Sequence, residues 1–453
     1  MKLRKMIALL LAAVLALSAL AMVGCGNGGD DPAPAADTED VDDANGEAED
    51  VAPVDDADDD EDDDVMQVEP GRLGTLEFWT MLTGADGVTM TAIVEDFNAT
   101  NPDFTVRHRP MEAGDLYMNF PLAVQSQQGV PDIALNHVER ITVFQENNFL
   151  TDLSPYIAQF GIDPANYVES AWNMTSLAGG HFGIPLDVHS FVLYVNMDLY
   201  AEHGAGELDD GILTWDEIRA AAPRLLEADL IPLPFTWLRA MFLSSYGQLN
   251  GSLASDGVNP DFNNPDAVKV FELWQEFFRN GWTHQEGDPS WQLFLAGEAM
   301  WITEGIWMYN HVLETDLNVQ MFNFPAFDPN VLGNWTSSHQ FVVPRNDAMD
   351  EDRIRVIFEF IDFVGNNGIE WARAGQAPAQ LTIRDDPAFA QMPQAFLTEP
   401  GAALKLYDFR HYGFAVESLD MIFGDVLWDR ITPEEALEQA QRQTIERIEL
   451  EGN

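Results

Sequence analysis

Between Leu76 and Leu135 the chain alternates short β-rich runs with amphipathic stretches, and this alternation restricts the fold more than any other feature. Leu76-Glu77-Phe78-Trp79 reads as a strand, and Thr83-Gly84-Ala85-Asp86 reads as a turn in which Asp86 can cap the free N–H groups of the next helix. Val88, Ile93, Val94 and Phe97 supply one apolar face of that helix, which ends at Asn101-Pro102. Phe104-Thr105-Val106 predicts a second strand, the stretch from about Gly114 to Gln128 a second helix, and Asp132-Ile133-Ala134-Leu135 a third strand. Strands joined through helices imply parallel pairing and an α/β sheet with helices on both faces. In open sheets of this kind ligands gather at the carboxyl ends of the strands. That rule directs attention to Trp79 through Asp86, and to Asn136 with His137.

The N-terminus carries a different message. Lys2, Arg4 and Lys5 precede an uncharged run from Met6 to Val23, closed by Gly24-Cys25, which is the pattern of a secretory signal. Cys25 is the only cysteine, so it has no partner for an internal disulfide. Its position resembles the lipobox of bacterial lipoproteins, where the cysteine receives lipid and becomes the mature N-terminus. The competing reading is a transmembrane anchor, since the run approaches the roughly 20 residues that a span needs. Residues 1–24 are therefore expected to be a signal peptide, and the protein extracytoplasmic and lipid-anchored to the cell membrane. Residues 25–70 hold roughly 20 acidic side chains and no Lys or Arg, a composition that repels itself and buries nothing. A disordered, extended tether follows; a calcium loop would need the glycine and terminal glutamate of an EF-hand, which the segment lacks.

About 380 residues remain, enough for two domains. The whole chain has a formal net charge of −54, of which roughly −37 belongs to this body. Such a field disfavours nucleic acid and anionic ligands and leaves neutral or cationic small molecules. With 12 Trp and 28 Phe, the body can build large cores and an aromatic-lined pocket. It has no H-E-x-x-H, G-x-S-x-G or P-loop motif, and one cysteine excludes a thiolate zinc cluster. The nine histidines show no pairing of the kind a metal needs on one helix, so no catalytic residue, metal or cofactor is expected.

Several stretches together resemble the extracellular solute-binding proteins of ABC importers, in particular the family 1 group that binds sugars. They are Leu76-Glu77-Phe78-Trp79-Thr80, Phe97-Asn98-Ala99-Thr100-Asn101-Pro102, Val130-Pro131-Asp132-Ile133-Ala134, Gly183-Ile184-Pro185-Leu186 through Leu193-Tyr194-Val195-Asn196, Leu213-Thr214-Trp215-Asp216-Glu217, Phe294-Leu295-Ala296-Gly297-Glu298-Ala299-Met300 and Gly375-Gln376-Ala377-Pro378. The resemblance implies an α/β, two-lobed periplasmic-binding-protein-like fold with hinge crossings and a C-terminal helical portion, closing on a ligand. Crossings are expected near Pro185 to His189, Ser337 to Phe341 and Leu406 to Tyr412. Lobe one then combines 74–186 with 341–400, and lobe two combines 187–340 with 401–453. The implied partners are a small-molecule sugar and the transmembrane subunits of an importer, with the protein a monomer.

A sugar needs hydrogen-bonding groups for its hydroxyls and a flat apolar wall for its C–H faces. The candidate contacts are Trp79, Thr83, Asp86, Asn136, His137, Asp187, His189, Trp237, Trp307, Trp335, Ser338, His339 and Gln376. In Met300 to Trp307, Gly305 is read as relieving a strand-to-helix turn, with Trp307 corresponding to a position where the family often presents an aromatic to sugar; Trp301 reads as a buried strand residue. Trp215 behind the cap Thr214, and Trp274, Phe277 and Phe278 at helical spacing, read as structural. Trp79 and Asp86 have bland readings of their own, as core and as helix cap. Three other functions stay open: an exported carbohydrate-active enzyme, which needs only two facing carboxylates; a sensor subunit; and a binder of cations such as polyamines.

Overall fold

The structure, a computed structural model, describes residues 67–451 apart from 205–207, 209–210, 399–403, 406 and 408. The expected signal peptide, Cys25 and the tether up to residue 66 lie outside the described residues. Along the chain, β1 (Gly74–Thr80), α1 (Ala85–Ala99), β2 (Phe104–Pro110), α2 (Ala113–Ser126), β3 (Ile133–His137), α3 (Val138–Glu146) and β4 (Ile184–Pro185) form the first group. A second comprises β5 (His189–Asn196), α4 (Trp215–Glu227), α5 (Leu238–Gln248), α6 (Pro265–Arg279), β6 (Trp301–Gly305), β7 (Val319–Phe322) and β8 (Asn334–Ser337). Then follow β9 (His339–Val342), α7 (Glu351–Asn366), α8 (Gly368–Arg373), β10 (Leu404–Lys405), α9 (Tyr412–Leu427) and α10 (Pro433–Glu451). All of these elements lie in one compact unit. No helix among the described residues is long and apolar enough to cross a membrane.

Two sheets divide the strands. The first has the order β2-β1-β3-β9-β4, with β1 parallel to both β2 and β3, while β9 runs antiparallel to β3 and β4. Its core joins Phe78, Phe97, Phe341 and Phe360 through ring contacts. α1 starts earlier than its expected cap: Gly84 occupies the N-cap, and Asp86 sits inside the first turn, its Oδ1 accepting from Gly87 N at 2.8 Å. A carboxylate there still complements the helix dipole, but it does not set the start. Trp79 is buried in this core.

In the second sheet β5 is central, antiparallel to β6, β7 and β8, and β10 adds to β8 in parallel. All eight residues of β5 are buried, because both faces are covered. The two-residue alternation is plain: Phe191, Leu193 and Val195 enter a core with Trp215, Trp274, Phe277 and the C-terminal helices, while Val192 and Tyr194 enter one with Ile302, Phe389 and Leu397. Thr214 and Glu217 form a reciprocal capping box before α4, which fixes Trp215 at the helix start and explains its full burial. Trp301 is fully buried in the same core.

The chain passes between the sheets at 186–188, from β4 to β5, and at Ser338, from β8 to β9. A further passage follows α8: Val188 N bonds Ala377 O at 2.8 Å and Ala379 N bonds Leu186 O at 3.0 Å, so 377–379 lie against the first crossing. Gly375 makes this approach possible. Its φ is +93°, and a Cβ there would stand 2.4 Å from Ile306 O. Phe389 and Leu397, in the stretch expected to belong to lobe one, share a core with Val192 and Tyr194 of β5 and Ile302 of β6. The expected third crossing at 406–412 includes residues 406 and 408, which are outside the described set.

Candidate functional site

A cleft of about 690 Å³ opens where these crossings meet. Thr83 and Asp86 line it from the loop after β1 and the first turn of α1, His137 from the end of β3, His189 from the start of β5, and His339 from the start of β9. Trp237, Trp307, Trp335 and Gln376 complete the part foreseen from the sequence.

The floor is a histidine cluster built by strand register. His339 pairs directly with His137 across β9 and β3, and His189 enters from β5; ring centroids are 5.0 Å apart for His137–His339, 4.3 Å for His189–His339 and 5.5 Å for His137–His189. Asp187, fully buried beneath, accepts four hydrogen bonds: from His339 Nδ1 at 2.8 Å, Trp371 Nε1 at 3.0 Å, His339 N at 3.1 Å and His189 Nδ1 at 3.2 Å. Burial pushes its carboxyl up, but the neighbouring His339 charge and these bonds outweigh burial and hold it well below the carboxylate range. Burial lowers His339 in turn, and Asp187 overrides that and raises it. Burial and the His339 charge bring His189 down to about 4, outweighing the upward pull of Asp187. Burial also drives His137 well below its ordinary value, and its Nδ1 meets the Tyr117 hydroxyl.

Three indoles form the wall. Trp237 and Trp307 stand edge to face, 5.7 Å apart at 88°, and Trp307 meets His189 at 5.6 Å and 85°. Trp237 is 57% exposed, yet its backbone has φ 42° and ψ 58°, a left-handed conformation that costs a bulky residue about 1–3 kcal/mol. Its Nε1 donates to Glu304 Oε1 at 3.1 Å, a buried carboxyl that desolvation pushes up to about 8. Gly305 has an ordinary φ of −74°, so turn geometry does not demand glycine. A Cβ there would fall 2.2 Å from the Trp307 ring; the missing side chain is what seats the indole.

Gln376 is fully buried at the cleft edge, with neither Oε1 nor Nε2 hydrogen-bonded. A buried amide pair without partners is exceptional in a folded protein and marks this edge of the cleft as a place where polar groups are left unused. Burial pushes the Asp86 carboxyl up against the pull of His339.

Four expected contacts do not line the cleft. Trp79 belongs to the lobe-one core. Asn136 precedes His137 on β3, so alternation sends it to the opposite face, where it pairs in register with Gln340. Asp187 lies under the histidines and orients them. Ser338 donates its hydroxyl to Asp187 O at 2.6 Å and ties two crossings together. Conversely, Tyr117, Glu139, Arg239 and Tyr412 line the cleft and were not singled out from the sequence. Tyr117 and Arg239 sit on helices whose apolar faces gave no sign of it, and Glu139 was one acid among 76. Arg239 is paired with Asp420, and Arg140 with Glu417 at 3.3 Å.

A family model described as bacterial extracellular solute-binding protein matches residues 83–371, which includes the walls and floor just described. The chain belongs to this family. Two relatives carry the name arabinooligosaccharide-binding protein: one from Bacillus subtilis, 26% identical over 45% of this chain and 47% of its own, and one from Halalkalibacterium halodurans, 25% identical over 82% and 88%. Among solved structures, the GacH receptor of Streptomyces glaucescens, studied unliganded and with acarbose, has a TM-score of 0.72 at 17% identity, covering 81% of this chain and 96% of its own. UgpB from Mycobacterium tuberculosis, in complex with glycerophosphocholine, has a TM-score of 0.73 at 15% identity, covering 84% and 100%. These likenesses establish that this solute-binding protein has the two-lobed fold of its structural neighbours.

Proposed function

We propose that this solute-binding protein captures a sugar or oligosaccharide in the cleft, closes its lobes on it, and presents the closed form to an ABC importer. The single observation that carries the reading is the exposed Trp237 edge against Trp307, held in a costly backbone conformation over a cleft that also offers the unpartnered amide of Gln376. A flat apolar wall beside unused donors and acceptors suits a sugar ring better than a charged solute. The cleft's Arg239 and Arg140 are already neutralised by acidic partners, which leaves little to attract an anion. The names of the two relatives point to arabinose-containing oligosaccharides as the first ligands to try.

Capture needs contacts from both lobes that are stronger in the closed form, and the cleft has walls from each. No chemical step is assigned to it. The lipid on Cys25 would hold the body at the membrane through the acidic tether, and the body would act as a monomer. Titration calorimetry with arabino- and malto-oligosaccharides, and with spermidine, tests the reading. Saturable one-to-one saccharide binding without released products is the expected result. Product formation would favour an enzyme, and saturation by spermidine alone would favour a cation binder. Detergent-phase partitioning that disappears in Cys25→Ser tests the anchor.

A further inference from the structure

We propose that His137, His189 and His339 form a three-imidazole site for a divalent transition-metal ion of the zinc class, with one coordination position open to the cleft. Motif spacing does not reveal such a set, because the three residues come from three strands and are separated by more than fifty positions each. Register brings them together: His137 and His339 are cross-strand partners, and His189 begins the neighbouring sheet. One ring nitrogen from each lies within 4.8 Å of the other two. Tetrahedral zinc with Zn–N bonds of about 2.1 Å needs nitrogens about 3.4 Å apart, so ring rotation and a small approach of the strands complete the geometry.

The surroundings favour this use. Both Asp187 oxygens accept a hydrogen bond from a histidine Nδ1, one from His189 and one from His339. That leaves the Nε2 lone pairs of His189 and His339 to donate to an ion, and a carboxylate behind the imidazole is the usual device for orienting a histidine ligand and strengthening its donation. Tyr117 occupies the corresponding Nδ1 of His137. Asp187, the cleft-wall Asp86 and Glu139 add negative charge, against Arg140, which is itself paired with Glu417, and Arg384, whose charge acts on Asp187. Three imidazoles with an open fourth position match a borderline-soft ion and suit calcium or magnesium poorly. Since His189 opens the second sheet while the other two belong to the first, the ion would pin the crossing between the lobes. This assignment is independent of the saccharide reading.

The experiment uses the full chain, stripped with EDTA and titrated with Co²⁺ and then Zn²⁺. One equivalent of Co²⁺ with the intense visible bands of a four-coordinate site, displaced by Zn²⁺, is the expected result. His189→Gln and His339→Gln should each lower the affinity at least tenfold with circular dichroism unchanged, and His203→Gln, a histidine outside the cluster, should keep it. Stoichiometric binding that survives in the triple His→Gln variant would assign the ion to carboxylates and overturn the proposal, as would an absence of saturable binding. Should the variants fail to fold, zinc-edge absorption on the parent protein decides: imidazole scattering from about three rings supports the site, and an oxygen-only shell rejects it. Saccharide binding measured in EDTA reports on the cleft reading separately.

Discussion

At the residue scale the cleft depends on a few side chains whose contacts are unusually specific. Trp307 touches both Trp237 and His189, so Trp307→Ala should lower saccharide affinity at least tenfold, about 1.4 kcal/mol, with the fold intact. Unchanged affinity by calorimetry would remove Trp307 from the wall. Gln376→Leu is a sharper probe, because the native amide has no partner to lose: stability in denaturant should hold or rise, while affinity falls. Glu304 gives a pH signature. Its folded value of about 8 lies above the reference of 4.5, so the folded state keeps a proton that the unfolded chain releases. The stabilisation from this group is complete below about pH 4.5 and is lost as pH rises to about 8. Glu304→Gln should therefore gain stability over the parent progressively from pH 5 to pH 8; a pH-independent difference in denaturant midpoints would contradict the assignment.

At the element scale, the strands and helices around residues 74–137 were legible because their apolar periodicities are strong and their turns well marked. Side-chain direction was less so. Asn136 and His137 looked equivalent as the end of a strand, but pairing with β9 puts His137 beside His339 and Asn136 beside Gln340, and only one pair reaches the cleft. Asp86 shows the same limit: a carboxylate near a helix start was evident, while its place inside the first turn depended on Gly84 taking the cap. The passage after α8 depends on Gly375, whose left-handed backbone and missing Cβ admit Ile306 O. Gly375→Ala should cost about 2 kcal/mol or more, seen as a lower melting temperature, since both strain and overlap act there. A neutral substitution would show that the turn can relax.

On the scale of the whole molecule, the lobes meet through the crossings and through ion pairs such as Arg140–Glu417 and Arg410–Glu146. These surface pairs contribute little individually, so under the proposed capture ligand contacts would have room to shift a balance between open and closed forms. Small-angle scattering should show a smaller radius of gyration with saturating saccharide, and an identical profile across the saccharide panel would argue against capture by closure.

What is local and periodic could be read from the residues in order: parallel β–α alternation, the capping box before Trp215, aromatic cores and the strongly acidic charge balance. Hydrophobic period and capping chemistry act over a few residues, so they are readable without coordinates. The tertiary structure alone decided which polar groups meet. His137, His189 and His339 converge, Asp187 lies beneath them, and Trp237 faces Trp307, because strand register and chain crossings set distances between residues far apart in sequence.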